Sequence, residues 1–320
     1  YDPGMTTPAI HIIGMPYVTG SARGRIQRGV QDNPAGKIVM LEQPLTGSIE
    51  PLPAGFEMVD GAPLSHSLIP LLGSGVPTIL ITRSQADALQ QGMELLLDGA
   101  TGLLTSDLSV PVPPLESLVA GGVAVTRDGE AVSLRVSARS QHAVQHAVEY
   151  GAEAIGLLRS EFLVPQDRRL PDTAFYRSAF RKLCEAAAGL PLTIRLFDVA
   201  VSKCPSWLSL GAADTGVLGR QGVRLYADEP VHGIYLAQLE AIADLAKEFE
   251  VRVLLPYVAD LAELQYWHED IKRQLGYPLP VGAMAETPAA ALQLREWLEV
   301  VEFVAIGCND LMQCLFGADR

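Results

Sequence analysis

From residue 132 onward, short apolar runs alternate with stretches of helical periodicity. Buried parallel strands read as apolar runs, so this alternation predicts parallel β/α units. Six strands are predicted, at 132–136, 154–158, 192–197 and 251–256 and in the apolar runs that begin at Val281 and Phe303. Helices are predicted at 141–150, 229–249 and 261–275. Because a closed (β/α)8 barrel needs eight strands, the expected fold class is an α/β barrel whose last two strands are absent from this chain.

The last two predicted strands each end abruptly in a carboxylate. Glu286 follows the run 281–285, and Asp310 follows the run 303–306 with Asn309 beside it. Functional groups of a parallel barrel gather at the carboxyl ends of its strands, so Glu286 and Asp310 are expected to face one cleft. Hard oxygen ligands of this kind suit a Mg²⁺ ion that also holds a phosphate, and both are predicted metal ligands. The alternative is that the two acids only cap helices.

Three arginines stand at or after the ends of these strands. Arg159 ends the second strand, Arg195 lies in the third and Arg320 follows the sixth. Guanidinium groups that converge beside two carboxylates form a pocket for a doubly anionic small molecule and a divalent cation. Phosphoryl transfer needs these groups, because its transition state is stabilised mainly by positioning and charge neutralisation. Taken singly, each arginine is more typical of a surface ion pair.

His66 is the candidate nucleophile. It lies after a Gly/Pro loop at the start of a helical pattern, inside a small domain expected over residues 5–125. Backbone N–H groups at a helix start favour an anion, and a neutral imidazole there can attack phosphorus. Residues 126–131 are expected to be a hinge linker, followed by the barrel over 132–320. The other histidines are expected to be surface or core groups.

Charge and cysteine usage restrict the class of partner. The net charge of −13 over 320 residues argues against a nucleic-acid partner. No run of about 18 apolar residues is present, so no membrane insertion is expected. The four cysteines show neither CxxC pairing nor the density of a disulfide scaffold, which favours a reducing cytoplasm. The expected partner is therefore a small molecule in a cleft with locally placed arginines.

Motifs in a fixed order cover essentially the whole chain. They are Gly14-Met15-Pro16, Leu64-Ser65-His66 with Gly75-Val76-Pro77, Gly156-Leu157-Leu158-Arg159-Ser160-Glu161-Phe162-Leu163, Met284-Ala285-Glu286-Thr287-Pro288-Ala289-Ala290, and Ile306-Gly307-Cys308-Asn309-Asp310-Leu311 with Ala318-Asp319-Arg320. Together they resemble the motifs of the phosphoenolpyruvate-utilising enzymes. This family includes Enzyme I of the sugar phosphotransferase system, pyruvate phosphate dikinase and phosphoenolpyruvate synthase.

The resemblance implies a fold and a mechanism. A swivelling phosphohistidine domain would carry His66 to a barrel that binds phosphoenolpyruvate, with Mg²⁺ held by Glu286 and Asp310. His66 would take the phosphoryl group, release pyruvate and pass the group to an acceptor protein or small molecule. Family members commonly pair through the barrel, so a homodimer is expected. The substrate-binding residues that the resemblance implies are Arg159, Arg195, Asn309 and Arg320.

The sequence departs from the family pattern at several positions. The glycine-rich, Thr-containing lead-in to the histidine is Ala62-Pro63-Leu64 here, and Gln221 stands where the family has a phosphate-binding arginine. The family's catalytic cysteine belongs to the seventh barrel strand, one of the two strands expected to be absent from this chain. These departures leave open a catalytically degenerate member that binds a metabolite or partner as a regulator. A metal-dependent lyase on the same barrel would explain the two carboxylates but leave His66 without a role.

Overall fold

The computed structural model describes residues 9–30, 33–43, 49, 51–63, 68–111, 124–164, 170–199, 205, 208, 220–276 and 278–317. Contacts between Cα atoms divide the chain into a first unit, residues 1–118 with 320, and a second unit, residues 119–319. His66 and Arg320 lie outside the described residues.

The first unit is built on a mixed sheet with two short helices. Its elements are β1 (His11–Ile13), β2 (Met15–Val18), β3 (Ser21–Arg28), β4 (Lys37–Leu41), β5 (Gly55–Val59), α1 (Ile69–Ser74), β6 (Thr78–Ile81), α2 (Arg83–Ala86), β7 (Glu94–Asp98) and β8 (Leu103–Thr105). The eight strands follow the order β1-β8-β7-β3-β4-β5-β6-β2. Strands β3 to β6 are parallel and the outer pairs antiparallel. Apolar clusters cover both faces of the central strands, which explains their continuous apolar sequences.

Helix α2 is short and ends at Ala86. Thr82 begins α2 with a capping box, in which its hydroxyl accepts from the Gln85 backbone and the Gln85 side chain accepts from the Thr82 backbone. The chain then turns, and the Leu89 carbonyl accepts a hydrogen bond from Arg28 at 3.1 Å. A tertiary contact to β3 therefore competes with continuation of the helix.

Glu57 is a buried acid at the centre of this sheet. It stands in register with Met40 on β4 and Ile79 on β6, and all three side chains are fully buried. Among the described residues, neither Glu57 carboxyl oxygen has a hydrogen-bond partner. Burial raises the pKa of Glu57 from its usual 4.5 to about 8, and the charge of Arg28 opposes this only in part. Glu57 is therefore a neutral acid at pH 7.

The second unit opens with a hairpin and continues as alternating strands and helices. Its elements are β9 (Ala124–Val125), β10 (Ala131–Val132), β11 (Arg135–Ala138), α3 (Gln141–Glu149), β12 (Ala154–Arg159), α4 (Thr173–Ala186), β13 (Leu192–Arg195), α5 (Val231–Leu245), β14 (Val251–Leu255), α6 (Leu261–Leu275), β15 (Val281–Ala285), α7 (Pro288–Leu292), α8 (Leu294–Trp297), β16 (Phe303–Ile306) and α9 (Cys308–Phe316). Strands β11 to β16 form a six-stranded sheet in chain order, and every pair is parallel.

The predicted alternation is confirmed, although several elements differ in their bounds or were not predicted. The first barrel strand begins at Arg135 and not at residue 132, because Ala131 and Val132 pair with Val125 and Ala124 in the hairpin. Helix α4 was not predicted, although Asp172 accepts a hydrogen bond from the Phe175 N–H as its N-cap. The predicted hinge at 126–131 covers the turn of this hairpin, and its mobility stays a prediction.

Aromatic side chains fill the space between the sheet and its helices. Tyr226 stacks on Tyr235 at 4.8 Å between ring centroids, and Trp267 meets both rings edge-on at 5.4 Å. The Tyr235 hydroxyl donates to Asp270 at 2.7 Å, so the polar tip is paired inside the core. Within the described residues, no helix is both long and apolar enough to cross a membrane.

The buried acid predicts an unusual pH dependence of stability. The folded chain keeps the Glu57 proton while the unfolded chain releases it above pH 4.5, so the free energy of unfolding falls as the pH rises toward about 8. The total loss is on the order of several kcal/mol, at about 1.4 kcal/mol per pKa unit. Glu57→Gln should flatten this slope in urea unfolding between pH 5 and 9.

Glu94→Gln is the matched control, because Glu94 lies exposed on β7 of the same unit. A wild-type profile that stays flat over this range, or a slope unchanged in Glu57→Gln, would show that Glu57 is ionised in the fold.

Candidate functional site

The carboxyl ends of the parallel strands bring charged groups of distant sequence together. Arg159, the last residue of β12, lies in register with Arg195, the last residue of β13. Glu161 and Asp198 follow these strands, and Glu286 follows β15. The two guanidinium groups interact electrostatically with all three acids. The parallel register therefore assembles one charge cluster, which we call the strand-end cluster: Arg159, Glu161, Arg195, Asp198 and Glu286.

Arg195 is the buried centre of this cluster. Its side chain is 4 % exposed, and Nη2 forms ion pairs with Glu161 and with Asp198, the latter at 2.9 Å. Nη1 lies 3.5 Å from the sulfur of Met284 on β15. Burial works against the charge, but Glu161, Asp198 and Glu286 outweigh it and raise the pKa of Arg195. The guanidinium is thus permanently charged and fixed in direction.

In the described part of the chain, Arg159 has an uncommitted donor at Nη1, as Arg195 has at Nε. It is partly buried, and burial together with the Arg195 charge lowers its pKa. Its Nη1 is buried and has no hydrogen-bond partner among the described residues. A buried donor without a partner costs free energy, so this group is suited to an anion that enters the site.

Gln238 on α5 ties the two strand ends to each other. Its side chain is fully buried, accepts a hydrogen bond from the Phe197 N–H at 2.7 Å and donates to the Ser160 hydroxyl at 2.9 Å. Ser160 directly follows Arg159, and Phe197 directly precedes Asp198. One amide therefore holds both chain segments that carry the cluster's charged groups.

Glu286 is held between the loop after β14 and the start of α9. Its side chain is buried, and Oε1 accepts a hydrogen bond from the Tyr257 N–H at 2.8 Å. A Cβ added at Gly307 would lie 2.6 Å from both Cβ and Oε2 of Glu286, so the start of α9 packs directly on this acid. Asn309 and Asp310 follow in the first turn of α9 and are partly buried. The chain segments that carry Glu286 and Asp310 therefore meet at Gly307, while the placement of both acids in one cleft stays a prediction.

The residue types around Gly307 suit a magnesium ion that takes only a few of its ligands from the protein. Within the part of the chain that the structure describes, no three His, Cys, Asp or Glu side chains are grouped as a metal site. Glu286 and Asp310 supply carboxylate oxygens, the ligand type that Mg²⁺ prefers. Mg²⁺ is commonly bound by one or two carboxylates and completed by water and substrate phosphate, so a pair of acids agrees with the predicted site.

Gln221 lies in the loop before α5. The family resemblance implies a phosphate-binding arginine at this position. Arg220 beside it forms an ion pair with Asp228, and both side chains are close to half exposed. Arg224 pairs with Glu263 of α6 at 3.2 Å. Arg220 is therefore engaged with the acid of its own loop. His66 and Arg320, both predicted site residues, fall outside the described residues.

Sequence reasoning missed several residues of this site. Glu161 and Asp198 were not named as candidates, although their place just after predicted strands is a usable signal. Gln238 and Tyr257 carry no sequence signal, because one acts from the middle of a helix and the other through its backbone N–H.

Comparison with known proteins identifies the family. The family model described as "PEP-utilising enzyme, PEP-binding domain" matches residues 117–320 of this chain. A phosphoenolpyruvate-protein phosphotransferase of Streptomyces coelicolor is 33% identical over 86% of this chain and 51% of its own length. A multiphosphoryl transfer protein of Rhodobacter capsulatus is 28% identical over 93% of this chain and 38% of its own length. The chain thus spans about half or less of these relatives.

A structural likeness adds nothing to this assignment. A putative phosphonomutase from Burkholderia cenocepacia J2315 has a TM-score of 0.24 and 14% identity, covering 57% of this chain and 88% of its own. The family match alone covers more than half of the chain, and the parallel β11–β16 sheet fits an α/β barrel that binds phosphoenolpyruvate. The chain therefore belongs to the phosphoenolpyruvate-utilising enzyme family, as its motifs predicted.

Proposed function

We propose that this chain binds phosphoenolpyruvate at the strand-end cluster, takes its phosphoryl group onto His66 and passes the group to an acceptor protein. The observation that carries the proposal is the buried, unpartnered Nη1 of Arg159 beside the fixed guanidinium of Arg195. Two guanidinium groups at neighbouring strand ends can donate paired hydrogen bonds to the phosphate and carboxylate oxygens of this substrate. The printed names of the relatives support phosphoryl transfer to a protein.

The charges of the cluster explain why a cation is part of the proposal. Arg159 and Arg195 contribute two positive charges, while Glu161, Asp198 and Glu286 contribute three negative ones at pH 7. A substrate with both a phosphate and a carboxylate adds further negative charge. Repulsion then has to be offset by a bound cation and by further positive groups, and Arg320 is proposed as one of them.

Glu286 and Asp310 are the proposed metal ligands. When bound, Mg²⁺ would neutralise the substrate's negative charge and fix its orientation. Asn309 is proposed to donate a hydrogen bond to the substrate from the same turn of α9. The protein's own part is to hold these groups rigidly, since phosphoryl transfer depends mainly on positioning and electrostatics.

The proposed phosphoryl transfer forms one bond and breaks another. A neutral His66 nitrogen attacks phosphorus, a phosphorus–nitrogen bond forms, and the bond between phosphorus and the enol oxygen breaks. The electron pair of the broken bond stays on that oxygen, so the enolate of pyruvate leaves and becomes pyruvate after protonation at carbon. The phosphoryl group on His66 is then available for the acceptor.

Cellular location and assembly remain proposals. The described thiols Cys184, Cys308 and Cys314 are free, which fits the proposed reducing cytoplasm. A homodimer through the barrel is proposed from the resemblance alone.

Labelling with ³²P-phosphoenolpyruvate and Mg²⁺ tests the proposed function on the natural full-length protein. We expect acid-labile, base-stable label that is lost in His66→Ala, because a phosphoramidate on His66 is the first product. His142→Ala is the matched control, since His142 lies exposed on α3, and it should keep the label. Intact wild-type protein without label would instead support the regulatory alternative. Cleavage of a carbon–carbon bond that is insensitive to His66→Ala would support a lyase.

Gln238→Met should slow the labelling of His66 and destabilise the second unit. The Phe197 N–H and the Ser160 hydroxyl lose their partner while side-chain volume is kept, which costs roughly 1 to 3 kcal/mol of unfolding free energy. Glu240→Gln on the exposed face of the same helix should change both quantities little. Unfolding by urea and single-turnover labelling measure the two effects. An unchanged labelling rate in Gln238→Met would show that the strand ends are held without Gln238.

A further inference from the structure

Tyr257 has a backbone conformation that its side chain disfavours. Its φ is 47°, in the left-handed region, and its side chain is 8 % exposed. Bulky residues with a Cβ rarely adopt this conformation, because the Cβ crowds the backbone. Such an outlier persists only where surrounding contacts determine it, so the contacts of Tyr257 indicate what the conformation is for.

The conformation directs the Tyr257 N–H at the metal-site acid. The amide donates to Oε1 of Glu286 at 2.8 Å. A Cβ added at Gly222 would lie 2.6 Å from the Tyr257 Cβ and 2.6 Å from the Pro256 carbonyl oxygen. Gly222 itself has a φ of 55°, which a glycine adopts without strain. Only a glycine at 222 leaves room for Tyr257 in this position.

The phenol of Tyr257 reaches a second element of the site. It interacts with the Cys314 thiol on α9, the helix whose first turn carries Asn309 and Asp310. One residue thus contacts Glu286 through its backbone and α9 through its side chain.

We propose that Tyr257 is the positioning residue for Glu286: its amide fixes the direction of this proposed metal ligand. The inference deepens the proposed function and rests on it, because it assumes that Glu286 holds the cation. With Oε1 bound to the Tyr257 N–H and the carboxylate packed on Gly307, Glu286 keeps one orientation before any ligand enters. Pre-organisation of this kind raises the affinity for a cation, since no ligand has to be reoriented on binding.

Two substitutions at residue 257 separate backbone from side chain. Asparagine tolerates the left-handed region but lacks the ring, whereas valine is apolar but β-branched and resists that region. Tyr257→Asn should therefore keep the amide on Glu286, and Tyr257→Val should withdraw it. Tyr257→Phe keeps both the amide and the ring and removes only the hydroxyl that reaches Cys314.

Titration of Mn²⁺ by electron paramagnetic resonance measures the consequence in the full-length protein, with phosphoenolpyruvate present. Loss of a group that orients a metal ligand typically weakens metal affinity by about 10- to 100-fold. We expect a loss in that range for Tyr257→Val, and a change of about threefold or less for Tyr257→Phe. Tyr257→Asn should fall between them. Urea unfolding midpoints measured alongside show whether each variant is folded. If Tyr257→Val unfolds, the Mn²⁺ affinity of Tyr257→Phe still tests the inference.

Equal Mn²⁺ affinities in the folded Asn and Val variants would overturn the inference. So would a Tyr257→Phe protein that binds Mn²⁺ as weakly as Tyr257→Val, because the amide would then contribute nothing.

Hydrogen exchange of the residue-257 amide, measured without metal, distinguishes failure of the inference about Tyr257 from failure of the proposed function. If wild type and Glu286→Gln bind Mn²⁺ equally, the metal role of Glu286 is wrong. A residue-257 amide that is protected in wild type and in Tyr257→Asn, but exchanges rapidly in Tyr257→Val and Glu286→Ala, still supports positioning of Glu286. Rapid exchange in wild type would overturn it.

Discussion

The burial of Arg195 between Glu161 and Asp198 is the constraint on which the rest of the site depends. A guanidinium that is 4 % exposed is stable only when charged partners are held around it. One partner follows β12 and the other follows β13, so the ion pairs fix the relative position of two strand ends. Gln238 adds hydrogen bonds to the backbone of one end and the side chain of the other. The site is therefore rigid before any ligand binds.

This rigid arrangement has a cost that points to function. Arg159 is placed beside Arg195, and burial together with this like charge lowers its pKa, so the fold works against its charged form. A residue retained against such a cost, with a buried donor that no described group uses, is typical of a binding site. Glu286 and Tyr257 show the same pattern, since a strained backbone is combined with a directed carboxylate. Stability and the proposed binding are thus in opposition at the strand ends.

Much of the second unit could be predicted from sequence, and the limits of prediction have physical causes. Strands β15 and β16 are continuous apolar runs, and the acids that follow them, like the arginine at the end of β12, were recognisable as site candidates. The start of β11 was wrong because Val132 pairs locally in a hairpin. Gln238 and Tyr257 could not be predicted, since the role of one depends on tertiary contact and that of the other on a backbone angle. The burial of Glu57 likewise follows from its place in the sheet and not from its residue type.

The most direct measurement combines stability and binding in one substitution, Arg159→Met, with Arg177→Met as its matched control in an exposed ion pair of α4. Calorimetric titration with phosphoenolpyruvate and Mg²⁺, alongside urea unfolding, gives both quantities for the full-length protein. We expect Arg159→Met to keep or raise the unfolding free energy and to weaken substrate binding by about 10-fold or more, while Arg177→Met leaves binding unchanged. Unchanged substrate affinity in Arg159→Met would contradict the account. So would a loss of stability in Arg159→Met that exceeds the loss in Arg177→Met.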